Sequence, residues 1–228
     1  MTEPGRAESA AALAQCPRLA AGEPFDFVCA GCGDCCRNRR DLVLSGYDLY
    51  RIARRLGLPT RLTADAFCKQ EFAPQTLLPA VVLRPNARTG NCPFFEADAC
   101  TIHAARPLAC ALYPLGQAID PATAAMEYYV QLPLCGARVS AQEQRTLQNY
   151  LADAAITARA GIDARWAVVC TQLSDKLQQA GGRENPRYLP AARRIARALY
   201  FDYSIQDDFY PQFNANTQAL WPLLDKML

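Results

Sequence analysis

Apolar residues recur at helical spacing after Ser45, and this pattern predicts the first well-defined helix of the chain. The apolar stripe of the segment consists of Leu49, Ile52, Ala53 and Leu56. Ser45 is a favoured residue before the first turn of a helix, whereas Gly57 and Pro59 favour its end. The segment Ser45-Gly46-Tyr47-Asp48 is therefore expected to open a helix that Gly57 stops.

Two shorter apolar patterns follow before the middle of the chain. Thr63 is expected to cap a second, short helix that runs through Phe72, and Cys68 on that helix is interpreted as a core residue. The segments "LLPAVVLRP" (77–85) and "AMEYYVQLP" (125–133) are rich in β-branched or aromatic residues and are bounded by prolines, which predicts strands. We expect these two strands to pair in a small antiparallel sheet.

The C-terminal part of the chain has the apolar spacing of helices. Ser140-Ala141-Gln142-Glu143 has the pattern of a capping box, which predicts a helix from there to about Ala160, interrupted at Gly161. Three more helices are expected, over about 163–180, from Pro190 to about 201, and over about 216–227 with a bend at Pro222. Together these helices predict a helical layer in the C-terminal half of the chain.

These elements together predict an α+β fold that is mainly helical, with a small antiparallel sheet beside a cysteine-rich metal core. By cysteine usage, the chain divides into a leader (1–24), a cysteine-cluster metal-binding domain (25–136) and a C-terminal helical region packed on it (137–228). The segment from 86 to 114 is rich in turn residues and carries three of the cysteines.

Composition and charge narrow the function classes. The 228 residues are 51% hydrophobic and 20% charged, which is typical of a globular protein. The net charge of +2 gives no electrostatic footprint for nucleic acid or an anionic membrane, and the apolar runs are too short to span a bilayer. The first residues lack the basic-then-apolar layout of a secretory signal, so we expect a cytoplasmic protein.

The chain has eleven cysteines, which is an unusually high number for its length. An odd number of cysteines in a chain expected in the cytoplasm argues against a disulfide framework, because that compartment keeps thiols reduced. Dense cysteine in a reducing compartment is more often metal-binding or catalytic. The candidate ligands are Cys29, Cys32, Cys35, Cys36, Cys92, Cys100, Cys110 and Cys135, while Cys16, Cys68 and Cys170 are interpreted as structural.

The stretch "CAGCGDCC" (29–36) carries the strongest chemical signal. Cys29, Cys32 and Cys35 recur at every third residue, a spacing that iron–sulfur proteins complete with a distant fourth cysteine. Gly31 and Gly33 allow the backbone to wrap closely, and Phe25 and Phe27 are candidates to shield the site from water. One [4Fe-4S] cluster is the preferred interpretation.

A structural zinc site is the alternative, because C-x2-C pairs also build tetrahedral zinc centres. Adjacent side chains usually diverge, so Cys36 is expected to serve a second centre or to tune the first. His103, the only histidine, follows Cys100 by three residues. It is a ligand, a hydrogen-bond donor to a ligand, or a structural residue. Arg37 and Arg106 are near enough in sequence to offset the charge of a thiolate centre.

Three spaced motifs carry a family resemblance over about residues 25–136. They are "FVCAGCGDCCRNRRDLVLSGYDLYRIARRLGL", "GNCPFFEADACTIHAARPLACALYPL" and "LCG", in that order. This set resembles the CxxCxxCC family of zinc- or iron-chelating proteins, which includes flagellin lysine N-methylases. The resemblance maps the motif cysteines onto Cys29, Cys32, Cys35, Cys36, Cys92, Cys100 and Cys110, with Cys135 as an eighth. Ala111 stands where the family often has arginine.

Several functions remain open on this sequence. One is an iron–sulfur protein in a redox or methyl-transfer enzyme; the methylase branch of the family implies S-adenosylmethionine as donor and a lysine of a partner protein as acceptor. The second is a zinc- or cluster-stapled domain whose C-terminal helices bind a protein partner. The third is a protein that handles soft metal ions. No glycine-rich nucleotide loop follows a strand in the chain.

Overall fold

The chain folds into two compact units. The computed structural model describes residues 15–25, 27, 33–37, 42–131 and 145–228. The first unit is formed by residues 1–40 and 85–164, the second by residues 41–84 and 165–228. The predicted boundary between residues 136 and 137 lies outside the described residues, so the three-part division by cysteine usage stays a prediction.

The first unit contains a three-stranded antiparallel sheet. Its strands are β1 (Arg18–Leu19), β7 (Leu115–Ile119) and β8 (Met126–Val130), in the order β1-β8-β7. Helices α3 (Leu108–Leu112) and α4 (Leu147–Asp153) belong to the same unit. Its largest apolar cluster joins these elements through Ala111, Leu112, Leu115, Leu147, Leu151 and Ile156. The cysteine-rich segments lie in this unit too.

A tight hairpin carries one of the predicted ligands, Cys100, and follows another, Cys92, by three residues. Strands β5 (Phe95–Glu96) and β6 (Ala99–Cys100) pair antiparallel, with Phe95 opposite Cys100. The two turn residues, Ala97 and Asp98, have φ angles of 46° and 58°. A two-residue hairpin with both turn residues at positive φ matches the strand twist, but alanine is strained there.

We expect Ala97→Gly to raise the free energy of unfolding of the first unit by about 1 kcal/mol, because glycine adopts positive φ without strain. Ala99→Gly is the matched control, since Ala99 is exposed on the adjacent strand. Glycine in a strand costs entropy, so that variant should lose roughly 0.5–1 kcal/mol. Urea unfolding followed by circular dichroism measures both variants. Equal shifts in the two would contradict the proposed strain at Ala97.

The second unit is built from helices around another small sheet. Strands β2 (Val43–Leu44), β3 (Cys68–Phe72) and β4 (Pro79–Leu83) form an antiparallel sheet in the order β2-β4-β3. Helix α5 (Ile156–Gln179) begins in the first unit and ends in the second. The remaining helical elements are α1 (Gly46–Leu56), α2 (Thr60–Phe67), a 3-10 turn (Gly182–Glu184), α6 (Tyr188–Ala196), a π-helical turn (Arg197–Phe201) and α7 (Phe209–Met227).

Helix α1 follows the sequence prediction closely. The Ser45 hydroxyl accepts a hydrogen bond from the Asp48 backbone N–H (3.1 Å), and the Asp48 carboxylate accepts one from the Ser45 N–H (3.1 Å). This reciprocal pair satisfies two backbone donors at the start of the helix. Gly57 ends the helix, as predicted. The α+β class with small antiparallel sheets is confirmed, whereas the metal core stays a prediction.

Several local predictions are wrong. Residues Cys68–Phe72 form strand β3 instead of continuing a helix, and the helix before them begins at Thr60. The strands predicted from 77–85 and 125–133 exist, but β4 pairs with β2 and β3 while β8 pairs with β1 and β7. Strand pairing depends on topology, which the local pattern does not encode.

The helix boundaries in the second half also differ from expectation. Helix α5 runs through Gly161, and the interruption lies earlier, at Ala155, whose φ is 58°. Thr146 and Asn149 form the capping box of α4; the predicted box at 140–143 lies outside the described residues. Helix α7 starts at Phe209, well before the predicted 216, and contains Pro222. Among the helices described, none has the length and apolarity required to cross a bilayer.

Candidate metal centre

Cys35 and Cys36 lie on a short 3-10 turn, Asp34–Cys36. The turn is closed by the backbone N–H of Cys36, which donates to the carbonyl of Gly33 (2.8 Å). The two sulfur atoms are 4.0 Å apart. Sequence reasoning expected adjacent side chains to diverge, and for this pair the tight turn makes that expectation wrong.

The second cysteine segment is tied to the first through the backbone. The N–H of Cys92 donates to the carbonyl of Cys36 at 2.8 Å. Three residues later, the N–H of Phe95 donates to the carbonyl of Cys92 (3.1 Å), and Phe95 pairs with Cys100 across the hairpin. The fold therefore carries Cys92 and Cys100 to the turn that holds Cys35 and Cys36.

The four thiols influence one another electrostatically. A hydrogen bond with Cys35, burial, and the like charges of Cys35, Cys92 and Cys100 together raise the pKa of Cys36 far above its ordinary value. Burial raises the pKa of Cys100 as well, and the nearby charge of Cys35 adds to this effect. Without a cation, these neighbouring thiols favour the protonated form over several thiolates side by side. A bound cation would favour the thiolates instead. Sulfur, the donor type of these residues, is the one that thiophilic metals prefer.

Aromatic side chains pack beside Cys35. Phe27 and Tyr113 form a small buried cluster, and Phe25, Cys35 and Tyr150 pack against it. The Tyr150 hydroxyl donates to the carbonyl of Tyr113 at 2.7 Å, which fixes the cluster to the end of helix α3. Both Phe25 and Phe27 therefore belong to the aromatic group on which Cys35 packs, whereas their role as a shield of a metal site stays a prediction.

His103 is exposed on a 3-10 turn, His103–Ala105. Its Nε2 lies 2.6 Å from a guanidinium nitrogen of Arg106, so Nε2 accepts a hydrogen bond there. Burial and the Arg106 charge both lower the pKa of His103, which favours the neutral ring. In this arrangement Nε2 is occupied by the hydrogen bond from Arg106, and a role for His103 as metal ligand stays a prediction.

The remaining predicted ligands divide into two sets. Cys110 lies on helix α3 of the first unit, half-buried, and its membership in the thiol group stays a prediction. Cys29, Cys32 and Cys135 lie outside the described residues. Within the residues that are described, no three His, Cys, Asp or Glu side chains already stand in an arrangement that could hold a metal ion.

The cysteines interpreted as structural lie apart from this group in sequence. Cys68 is buried at the start of β3 in the second unit, and burial raises its pKa to about 12, with Arg84 opposing. A thiol with such a pKa stays protonated at neutral pH and is a poor nucleophile. Cys170 lies half-buried in helix α5, also in the second unit, and Cys16 half-buried just before β1.

Sequence reasoning missed the residues that join the two cysteine segments. The ring of Phe95 lies against Gly33, where an added Cβ would be 2.4 Å from two ring carbons. Arg37 stacks over the same ring (5.0 Å to its centroid) and pairs with Asp98 at 2.8 Å. Arg37 was a predicted charge-balancing residue, but neither Phe95 nor Asp98 was singled out, because their partners lie about sixty residues away.

Residues 28–136 match the model of the CxxCxxCC family, which is described as "Putative zinc- or iron-chelating domain". This match confirms the resemblance noted from the three motifs, and it covers parts of both compact units. No curated protein matches the chain. No solved structure matches it either. Just under half of the chain, residues 28–136, therefore matches a domain family whose description names zinc or iron chelation.

Proposed function

We propose that the CxxCxxCC domain of this chain binds an iron–sulfur cluster, [4Fe-4S], through thiolates from two separate segments. The observation that carries the proposal is the approach of Cys92 and Cys100 to Cys35 and Cys36. Cys29 and Cys32 continue the C-x2-C-x2-C run and supply further thiols by sequence. An all-sulfur donor set is what such clusters use.

Two features of the surroundings support a cluster. The Phe27–Tyr113 cluster packs on Cys35 and would limit the access of water, one of the factors that set cluster potentials. The one histidine is hydrogen-bonded to Arg106, which leaves sulfur as the donor type of the group. Surplus cysteines beyond four also suit a cluster or a pair of centres better than one zinc ion.

Zinc is the second candidate, and one distance favours it. Two sulfur atoms bound to one tetrahedral zinc ion at about 2.3 Å lie about 3.8 Å apart. The Cys35 and Cys36 sulfurs are separated by 4.0 Å. In this alternative, the ion would staple a loop-rich domain and the function would be structural or protein-binding.

Anaerobic purification with metal and sulfide analysis separates these candidates. A brown protein with about four iron and four sulfide per chain is the expected result for one [4Fe-4S] cluster. A colourless protein with stoichiometric zinc would replace the cluster by the zinc alternative. A chain that holds neither metal after anaerobic reconstitution would end both.

Single substitutions test which thiols take part. We expect Cys36→Ser and Cys92→Ser each to lower the bound metal by at least about tenfold, because a hydroxyl is a poor ligand for these metals. Cys170→Ser is the matched control, since Cys170 lies in the second unit, and it should keep the full metal content. Equal losses in all three variants would contradict the assignment.

The proposal extends to the type of reaction that the bound cluster would support. Redox chemistry or transfer of a methyl group from S-adenosylmethionine to a lysine of a protein partner is what the methylase branch of the family suggests. Such a thiolate centre also suits the reducing cytoplasm. Equilibrium dialysis of S-adenosylmethionine against the anaerobic holoprotein decides the methyl-transfer part, which lack of binding would remove while the metal proposal stands.

A further inference from the structure

We propose that Arg37, Phe95 and Asp98 form a latch that positions Cys92 and Cys100 beside Cys35 and Cys36 and sets the rate of metal exchange. The inference deepens the proposed function, because it describes access to the same centre. The latch itself is a set of contacts between described residues, so it can be tested whether or not the purified chain carries metal.

The contacts of the latch form a continuous stack. Phe95 lies on Gly33, the residue just before the 3-10 turn, at a distance that leaves no room for a Cβ. Arg37, just after that turn, places its guanidinium over the same ring, 5.0 Å from the ring centroid. The Phe95 ring is therefore held by residues on both sides of the Cys35–Cys36 turn.

Asp98 completes the stack from the hairpin turn. Its Oδ1 accepts a hydrogen bond from the Arg37 guanidinium at 2.8 Å. Phe95 and Asp98 belong to the hairpin that contains Cys100, and the Phe95 N–H donates a hydrogen bond to the carbonyl of Cys92. The stack therefore fixes both Cys92 and Cys100. Releasing Arg37 would loosen the hairpin and its thiols together.

The strength of these contacts suits a reversible closure. The side chains of Arg37 and Asp98 are 39% and 84% exposed. An ion pair in water contributes little to stability, and an exposed cation–π contact contributes a comparable small amount. The combined effect corresponds to a factor of about ten in an opening equilibrium. The latch therefore changes how often the site opens far more than whether the unit folds.

The chain offers a matched control elsewhere. Arg61 stacks over the ring of Phe201 (4.8 Å to the centroid) and pairs with Asp65 at 3.2 Å. This arginine, phenylalanine and aspartate combination lies in the second unit and contains no cysteine. Arg61→Ala and Asp65→Asn remove the same contact types without touching the hairpin.

Metal release is the first measurement. The holoprotein is mixed with excess of a chromogenic chelator for ferrous iron, or for zinc if the purified chain carries zinc, and the rate of transfer is recorded. We expect Arg37→Ala to release metal about tenfold faster and Asp98→Asn about threefold faster. Asparagine tolerates the positive φ of position 98, so that variant keeps the turn. Both control variants should match the wild type.

Thiol modification of the reduced full-length chain, in the metal state in which it is purified, is the second measurement. Rates of iodoacetamide labelling at Cys92 and Cys100, resolved by mass spectrometry, should rise by similar factors in Arg37→Ala and Asp98→Asn only. Unchanged labelling and release rates in both variants would overturn the latch. A chain without metal would end the proposed function, while the labelling rates would still decide the latch.

Discussion

Gly46→Ala is expected to lower the free energy of unfolding by about 3 kcal/mol or more, because the space for one methyl group is already filled by backbone. A Cβ at position 46 would lie 2.0 Å from the carbonyl oxygen of Leu199 and 2.8 Å from a ring carbon of Trp166. A side chain can rotate away from such a contact, but the carbonyl of Leu199 belongs to the π-helical turn and would have to move with it.

The position explains why the effect should be large. Gly46 opens helix α1, so a shift there displaces the capping pair of Ser45 and Asp48 and the buried residues of the helix. Both tryptophans, Trp166 and Trp221, belong to the second unit, so urea unfolding followed by tryptophan fluorescence reports on this unit directly.

Gly161→Ala is the control for this measurement. Gly161 is an exposed residue inside helix α5, the helix that also carries Trp166, and nothing lies within 4 Å of its Cβ position. Alanine is the better helix former by about 1 kcal/mol, so this variant should be as stable as the wild type or more stable. If Gly46→Ala unfolds at the urea concentration of the wild type, the close approach of Leu199 is wrong.

Helix α1 and the Gly46 contact show where sequence reasoning ends. Ser45, Asp48 and Gly57 act within a few residues of themselves, so the helix and its ends could be predicted from local physics. The reason for glycine at position 46 is a carbonyl more than 150 residues away. That contact is a property of the tertiary fold, and no local pattern announces it.

The strand and helix errors have the same origin. Segment 68–72 contains helix-compatible residues, but strand β4 pairs with all five of them and overrides that preference. In the second half, the glycine at 161 suggested a break that packing does not require, whereas Ala155 adopts a left-handed conformation at the real break. Alanine gives no signal of such a conformation.

For the candidate metal centre, the candidate thiol ligands could be identified from the sequence, whereas the contacts that bring their segments together could not. The spacing of Cys29, Cys32 and Cys35 and the family motifs identified candidate thiols. The contacts between the two cysteine segments depend on the hairpin at 95–100 and on the backbone hydrogen bond from Cys92 to Cys36. Both are consequences of folding. The sequence names no metal, because zinc and iron use the same thiolates.

Removal of the bound metal is expected to unfold the cysteine-bearing part of the first unit while the second unit stays folded. Most of the buried apolar side chains among the described residues belong to the second unit. Around Cys35, by contrast, the buried cluster comprises only Phe27 and Tyr113. A core of that size contributes too little to order the surrounding loops, so metal binding, on the order of 10 kcal/mol for structural zinc, supplies the difference.

Hydrogen exchange and fluorescence separate the two units in this experiment. After chelation under reducing conditions, the amides of Cys36, Cys92 and Phe95 should lose protection. The Cys92 N–H donates to Cys36 and so joins the two cysteine segments, while the Cys36 and Phe95 N–H groups close the turns on either side of that bond. Tryptophan fluorescence should keep its native spectrum, since Trp166 and Trp221 report on the second unit. Re-addition of the metal should restore protection. If these three amides stay protected in the metal-free reduced chain, packing alone holds the cysteine segments together, and the metal cannot be what folds them.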